Sequence, residues 1–526
     1  MIAALISAAL LVLASPRHDQ FWLAWIGLVP LLLTLKDRRP ANAFLVSSLC
    51  GFAYFSGILI WVYQIPGFKP LHHVLVGAIL GPCFGLFGAF FSQLARRKGL
   101  AAAYFLAPFV WVSVEYLRSN LWFLSLPWGF LAHTQYLFPQ VIQISAFTGA
   151  YGVSFLVVAV NSCLALLLAP SLTRVKGHGS DNLRPPSTEM RRAWALSVAV
   201  LVGATLLYGQ ASLGRPLGEK RIRIAVLQGN IDQVKKADPR KFAQPIMQTY
   251  VDLTEQAARD NPELIVWPEA ATPGLVLKSS ELYKQIVGLI RKHKTAFVIG
   301  SSEYPKFSRE PAAQKRQGNT ALHVAADGRI RGQYLKIHLV PFGEYLPLED
   351  VFAWPAWLLE SKGRSWDLPG TEHTLFTAGG GAFGVVICWE QVFPELFRTF
   401  VRNGARFMLN LTNEGWFGDS DAPYQMLAIS VFRAVENGVP LARAANTGIS
   451  GFIDRRGRID GLVNVNGKPT FVAGHLTRDV VYSDETTFYT RHGDLFVYGV
   501  LTLTALAAAW LFVPRGQRGT VEAAVR

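Results

Sequence analysis

Apolar residues are distributed along this chain in two ways. Over the first 212 residues they form long runs, near 1–15, 20–35, 42–62, 74–94, 100–117, 146–169 and 193–212, and one more follows at 494–513. Most approach the ~20 residues a helix needs to cross a bilayer, so the pattern predicts about eight membrane spans. Between 220 and 480 the runs shorten to strand length, at 222–227, 264–267, 297–300, 385–387, 407–411 and 441–445, and alternate with helical stretches. Asp327-Gly328 and Arg456-Gly457 mark hairpin turns. The expected organisation is a membrane domain over 1–212 with seven transmembrane helices and one α/β domain over 213–493. A C-terminal transmembrane helix at 494–513 and a cytoplasmic tail at 514–526 complete it.

Charge orients this frame. Hydrophobic residues make up 51% of the 526 and charged residues 17%, with a formal net charge of +15. Such a charge suits nucleic acid, yet the cations cluster beside apolar runs: Lys36, Arg38 and Arg39; Arg96, Arg97 and Lys98; Arg174, Lys176, Arg184, Arg191 and Arg192; Arg515 and Arg518. Juxtamembrane placement is the better reading, and no nucleic-acid partner is expected. By the positive-inside rule these loops are cytoplasmic, which puts 213–493 on the opposite face, the periplasmic side of a bacterial inner membrane. The run at 1–15 ends at Ser15-Pro16 and lacks the basic start of a signal peptide, so a span is preferred there. The loop 118–145 is too apolar for a solvated one and reads as an interfacial aromatic belt or re-entrant arm. Glu115 is an intramembrane carboxylate with Arg118 as its expected partner, in a structural pair or a lipid-headgroup site.

Chemistry concentrates on Cys388, where the apolar run of FGVVICWEQVFPELF gives way to polar residues. The residues before it suit a buried strand and those after Pro394 a helix, so the thiol sits at a strand-to-helix turn, where backbone N–H groups can face an oxyanion. A cysteine after aliphatics is often a small core residue. Cys50, Cys83 and Cys163, however, lie inside apolar runs, which leaves Cys388 the one thiol on an oxidising face. A nucleophilic thiol needs a base and a charge stabiliser. His293, His323, His338 and His373 lack a catalytic context, whereas Glu269 in LIVWPEA and Lys336 in QYLKIHLVPFGEYLP stand at strand ends, with Glu344 eight residues after Lys336. No Cys/His cluster suggests a metal, and Gly379-Gly380-Gly381 precedes a strand without the lysine of a phosphate loop, so no metal or cofactor is expected.

WPE with Glu269, YLKIHLVPFGEYLP with Lys336 and VVICWE with Cys388 resemble the Glu-Lys-Cys motifs of the nitrilase (carbon-nitrogen hydrolase) superfamily. With the surrounding spans, PFGEYLP, LTNEGWFGDSDAPYQ and RAANTGISGFID are similar to the apolipoprotein N-acyltransferase family. The resemblance implies an αββα sandwich on the outer leaflet. It also implies transfer of an acyl chain from a membrane phospholipid, through a Cys388 thioester, to the N-terminal amine of the diacylglyceryl-cysteine of an apolipoprotein. Glu269 would be the base, and Lys336 with a backbone N–H near Trp389 would meet the oxyanion. Glu344 would orient Lys336, Glu390 would line the substrate entrance, and Trp354 and Trp357, with Leu346 and Phe352, would form a water-excluding rim at the leaflet. A monomer is the expected state. One departure is Ala237 in QGNIDQVKKADP, where related sequences often carry tryptophan, which bears on lipid contacts by that loop. The competing readings are a membrane-anchored amidase, which needs only one anchor helix, and a transporter or receptor with a degenerate sensor domain, against which the intact Glu269, Lys336 and Cys388 argue.

Overall fold

The computed structural model describes residues 1–169, 186–304, 316–354 and 367–513. Among these, six helices are long and apolar enough to cross a membrane: Pro40–Ile58, Pro70–Lys98, Leu100–Ser119, Ala150–Leu168, Thr188–Leu213 and Leu495–Phe512. The first two expected spans are shorter, Ile2–Ala14 and Phe21–Leu35. At a 1.5 Å rise, 13 residues reach only about 20 Å, less than the ~30 Å hydrocarbon core. Each of the eight apolar runs is therefore helical, but two of them fall short of a full crossing.

Pro40–Ile58 and Pro70–Lys98 pack closely because their contact is built from small residues. A Cβ on Gly51 would meet the Gly81 carbonyl oxygen at 2.7 Å, and Gly77, Gly81, Gly85 and Gly88 repeat along the facing stripe. Ala150–Leu168 is the most buried of the long helices, while Thr188–Leu213 and Leu495–Phe512 lie at the periphery.

The α/β region holds two six-stranded sheets. The first, in order β12-β1-β2-β3-β4-β5, comprises β1 (Lys220–Gln228), β2 (Leu264–Trp267), β3 (Ala296–Glu303), β4 (Gly318–Val324), β5 (Ile330–Leu335) and β12 (Gly474–Tyr482). The second, in order β11-β10-β9-β8-β7-β6, comprises β6 (Phe376–Ala378), β7 (Gly381–Ile387), β8 (Phe407–Thr412), β9 (Leu441–Ala445), β10 (Gly451–Ile453) and β11 (Ile459–Leu462). β1, β2 and β3 run parallel, as do β7, β8 and β9. The expected hairpins at Asp327-Gly328 and Arg456-Gly457 join β4 to β5 and β10 to β11.

Alternation along β1 shows how the layers stack. Ile222, Ile224 and Val226 join the core shared with β7 and β8, whereas Ala225 and Leu227 join a second core under the helices Pro239–Ala258 and Ser280–His293. The outer face of the second sheet is covered by Pro394–Arg402 and Ala422–Asn437, completing the αββα arrangement. Ala422–Asn437 is buried almost throughout because it is also the joint to the membrane domain. Its Glu436 accepts from the backbone N–H of Ala150 at the start of a membrane helix, at 2.9 Å.

The loop 118–145 is not a lipid-facing belt along its whole length. Trp128, Phe130 and Tyr136 are buried, Trp128 against Trp389 and Gln425 of the α/β domain, while its first part, with Trp122 at 75% exposure, reaches outward. Glu115 and Arg118 are both buried yet form no ion pair with each other. Glu115 accepts from Trp111 Nε1 (3.0 Å) and Leu131 N (3.1 Å), while Arg118 donates to the Leu126 carbonyl at 2.6 Å and lies over the rings of Phe55 and Phe130. One helical turn separates them, and each is drawn instead to the segment that folds back over the helix end.

Candidate active site

Cys388 is the first residue after β7 and opens a short 3₁₀ turn, Cys388–Val392, that leads to Pro394–Arg402. Its φ of 52° lies in the left-handed region, which a non-glycine residue occupies at a cost of about 1–3 kcal/mol and holds only when its neighbours over-determine it. The thiol is 7% exposed. Burial pushes its pKa well above the usual thiol range and Glu269 adds to that, while Lys336 opposes both.

Lys336 follows β5 directly and has no exposed surface. Its backbone is pinned on both sides, its N–H donating to Asn319 O (2.9 Å) and its carbonyl accepting from Gly370 N (2.7 Å). The ammonium donates to Glu344 Oε1 at 2.7 Å and stands 3.9 Å from Glu269 Oε1. Burial alone would lower the lysine pKa, but Glu344, Glu269 and Cys388 together hold it above the ordinary value, so the group remains a cation.

Glu269 lies just past the end of β2, and its Oε1 accepts from Asn319 Nδ2 at 2.5 Å. Its Oε2 is buried without a hydrogen-bond partner among the described residues, a free acceptor in the site. The loop that carries it lies flat on β3 because residue 300 is glycine: a Cβ there would collide with the Pro268 carbonyl oxygen. Glu344 closes its own turn, accepting from Val340 N at 2.8 Å through the oxygen that Lys336 does not use. The three expected side chains and the expected supporting carboxylate thus converge, on loops at the ends of β2, β5 and β7. A thiol, a carboxylate with a free oxygen and a buried ammonium can pass a proton and stabilise an oxyanion.

Glu390 departs from the expectation. It is fully buried and lines no entrance: Oε1 accepts from Tyr334 Oη (2.8 Å), Ile337 N (2.6 Å) and His338 N (3.1 Å), and Oε2 from Ile387 N (2.7 Å). The carboxylate therefore ties the Lys336 loop to the Cys388 turn, because that is where four otherwise orphaned donors meet. Trp389 is half-buried and stacks on Trp128 at 6.0 Å with 19° between the ring planes. Trp354 donates its indole N–H to the Pro347 carbonyl and packs edge-on against Phe342 and Phe352. Trp357 and the side chain of Ala237 lie outside the described residues.

A cavity of about 790 Å³ opens between the membrane-helix ends nearest the α/β region and this site. Ser119, Trp122 and Tyr151 line one side, and Ile337, Tyr345, Trp389 and Phe393 the other. Ile337 and Trp389 are the chain neighbours of Lys336 and Cys388, whose own side chains stand behind the cavity wall. Phe342, Val351 and Phe352, close in sequence to Tyr345 and Glu349 in that wall, are exposed.

Several site residues carried no readable signal. Asn319 pairs with Glu269 from inside an ordinary strand. Glu414 and Arg443 form a fully buried pair at 2.5 Å, and Arg443 reaches on to Gln391 in the Cys388 turn. Lys236 sets its ammonium 3.4 Å from the Glu269 carbonyl, and burial draws its pKa down to about 8. Glu414 and Arg443 fall within LTNEGWFGDSDAPYQ and RAANTGISGFID, but their pairing is a property of the fold.

Comparison with known proteins agrees with this architecture. The family model for the apolipoprotein N-acyltransferase N-terminal domain matches residues 7–163, and that for carbon-nitrogen hydrolase matches residues 223–473. The apolipoprotein N-acyltransferase of Geobacter metallireducens is 36% identical over 97% of this chain and 95% of its own. That of Chlorobaculum tepidum is 30% identical over 93% and 92%. A solved amidase from Nesterenkonia sp. aligns with 53% of this chain and 96% of its own, at 21% identity and a TM-score of 0.38. With both halves matched in order and relatives aligned over nearly the full length, the chain belongs to the apolipoprotein N-acyltransferase family.

Proposed function

We propose that the acyl transfer of this family runs in this chain through a Cys388 thioester, with Glu269 as base and Lys336 as oxyanion stabiliser. Glu269 Oε2 takes the thiol proton and the thiolate sulfur adds to a phospholipid ester carbonyl. The oxyanion meets the Lys336 ammonium and a backbone N–H near Trp389. The carbonyl–oxygen bond to glycerol breaks, Glu269 returns the proton to the leaving oxygen, and a lysophospholipid departs. The neutral α-amine of a diacylglyceryl-cysteine then attacks the thioester, Glu269 takes its proton, and the carbon–sulfur bond breaks as Glu269 passes that proton to the sulfur, giving the amide and the free thiol.

The observation that carries this reading is the buried ammonium of Lys336, 2.7 Å from Glu344 and 3.9 Å from a Glu269 that keeps one oxygen unpaired, beside a cysteine held at positive φ. The cavity of about 790 Å³ between the two domains is the route for the lipid donor, with Trp122 in its wall and the exposed Phe342 and Phe352 close in sequence to Pro341 and Glu349 of the opposite wall. The α/β region, 213–493, lies on the periplasmic face of the inner membrane. In support, Ser92 bonds the Arg38 carbonyl and Arg97 and Lys98 bond the carbonyls of Leu511 and Val513, which gathers the 36–39 and 96–98 clusters and the end of the last helix at one side.

The test is to incubate the full-length protein in proteoliposomes with a phospholipid labelled in its acyl chain. A hydroxylamine-sensitive label should form on the protein and be chased onto a diacylglyceryl-cysteine peptide. Label that survives Cys388→Ala would overturn the assignment.

A further inference from the structure

Cys388 occupies a strained backbone position, so something must hold the turn that carries it. Two of its holders lie within the α/β domain. Glu390 accepts from Ile387 N, and Gln391 takes the Arg443 guanidinium at 2.5 Å and the Ser430 hydroxyl. The third comes from the membrane domain. Trp389, next to the nucleophile, stacks on Trp128, which belongs to the segment after Leu100–Ser119. Trp128 donates its indole N–H to Gln425 Oε1 at 2.7 Å, and Trp61, just past Pro40–Ile58, donates to the same oxygen at 3.1 Å. Gln425 Nε2 donates in turn to the Ile58 carbonyl at 2.8 Å. Trp61, Trp128 and Gln425 are all at least 93% buried, and the two indoles lie 5.5 Å apart.

The geometry points to Gln425 as a positioning residue for acyl transfer, acting through Trp128 on Trp389 to hold the Cys388 turn against the membrane domain. This rests on the reading of Cys388 as the nucleophile. Gln425 and Ser430 lie on the same helix, Ala422–Asn437, so a single rigid element sets Trp389 through Trp128 and Gln391 directly. A glutamine suits the task because one carboxamide can accept from two indoles and still donate to a carbonyl. With all three bonds desolvated, shifting this amide leaves buried donors unpaired, so the Trp128 ring has little freedom to drift. A misplacement of about 1 Å at a reacting group can cost on the order of 100-fold in rate. The clamp therefore makes the membrane domain part of the thiol's alignment as well as an anchor.

The test uses full-length protein in detergent micelles, with two readouts that need no membrane-bound substrate. These are the rate of Cys388 alkylation by iodoacetamide, followed by peptide mass, and kcat and KM for p-nitrophenyl butyrate. Gln425→Met keeps the side-chain length and removes all three bonds. It should lower kcat and the alkylation rate together by roughly 10-fold or more, with KM little changed. Trp128→Phe, which keeps an aromatic ring to face Trp389 and loses the indole N–H, should fall between, and the Gln425→Met loss should shrink when Trp389→Ala is already present. Wild-type alkylation and kcat in folded Gln425→Met, or a loss confined to KM, would overturn the proposal. Should Gln425→Met fail to fold, Trp128→Phe decides on the same readouts. Cys388→Ser must abolish transfer, and transfer that persists there would remove the nucleophile assignment whatever the clamp variants do.

Discussion

Glu390→Ala is the substitution whose cost the structure specifies most fully. It removes a fully buried carboxylate that satisfies three backbone N–H groups, those of Ile337, His338 and Ile387, and the Tyr334 hydroxyl. A buried donor left unpaired costs about 1–3 kcal/mol, so four give roughly 4–12 kcal/mol, with water in the vacated space drawing the value towards the lower end. Glu390→Gln should be milder. Its oxygen can still accept the three donors of Oε1, and only Ile387 N is left facing an NH₂, for about 1–3 kcal/mol. Burial pushes the Glu390 carboxyl up to about 7, against the pull of its donors and of Lys336. Between about 4.5 and about 7 the folded protein therefore holds a proton that the unfolded chain has released. The stability from this group is present at low pH and declines as pH rises through that window, by about 3 kcal/mol. Glu390→Gln does not titrate, so the stability of wild type relative to it should fall by that amount between pH 4.5 and pH 7. Thermal and denaturant unfolding in detergent, with thioester formation measured in parallel, makes the comparison. Wild-type unfolding and acylation in Glu390→Ala would refute the idea that this carboxylate joins the two loops, and a flat pH difference would refute burial as the dominant cause.

Lys336→Ala and Glu269→Ala should each lower the acylation rate by about 100-fold or more, while Glu344→Gln costs less because Lys336 keeps Glu269 nearby. Single-turnover labelling by phospholipid separates these, and near-wild-type rates in all three would dismiss the set. With burial holding the Cys388 thiol above its usual pKa, alkylation of the lipid-free protein should keep rising with pH beyond pH 9, by up to about tenfold per unit while the thiol is mostly protonated. A plateau below pH 8 would show a thiolate already formed. Replacing Phe352 and Trp354 by serine should raise the ratio of free fatty acid to N-acyl product in proteoliposomes and leave turnover of a small soluble ester near wild type. An unchanged ratio would place water exclusion elsewhere.

Much of the fold was legible because its signals are local. β2 and β9 begin and end where the apolar runs do, and Asp327-Gly328 and Arg456-Gly457 turn where expected, since strand length and turn chemistry are written residue by residue. The convergence of Glu269, Lys336 and Cys388 was legible for a related reason: each follows a strand, and strand ends of a sandwich gather at one edge. The exceptions turn on partners distant in sequence. Glu390 reads as an entrance-lining acid two residues past Cys388, and only the arrival of the 334–338 segment makes it a buried acceptor. Trp128 reads as an interfacial aromatic until Gln425, 297 residues away, receives its N–H. Glu115 and Arg118 suggest an ion pair by spacing alone, but the fold-back of 126–131 gives each a nearer partner.

The site so described is closed at rest. The thiol is 7% exposed, and Ile337 and Trp389 stand between the reacting side chains and the cavity. The proposed mechanism nevertheless brings an ester carbonyl within bonding distance of the sulfur, so it requires part of this wall to move. Trp389 is the poorer candidate, being stacked on a tryptophan whose own N–H is committed at 2.7 Å. The 339–349 stretch, which puts Leu339, Pro341 and Tyr345 into the same wall, is the better one. It carries two non-glycine residues at positive φ, Phe342 at 62° and Leu348 at 57°, and its Phe342 side chain is 40% exposed. Yet in the proposed mechanism Lys336 must not follow it, since its ammonium is the charge assigned to the oxyanion. Three bonds to Glu390, from Tyr334, Ile337 and His338, and the backbone pins at Asn319 and Gly370 lie at the root of this stretch, on residues 334–338, and not on its exposed part. Fixing the root allows the tip to yield to a lipid while the cation stays in place. It also sets a thioester behind a wall that water must displace, which favours an amine delivered from the membrane as the second nucleophile.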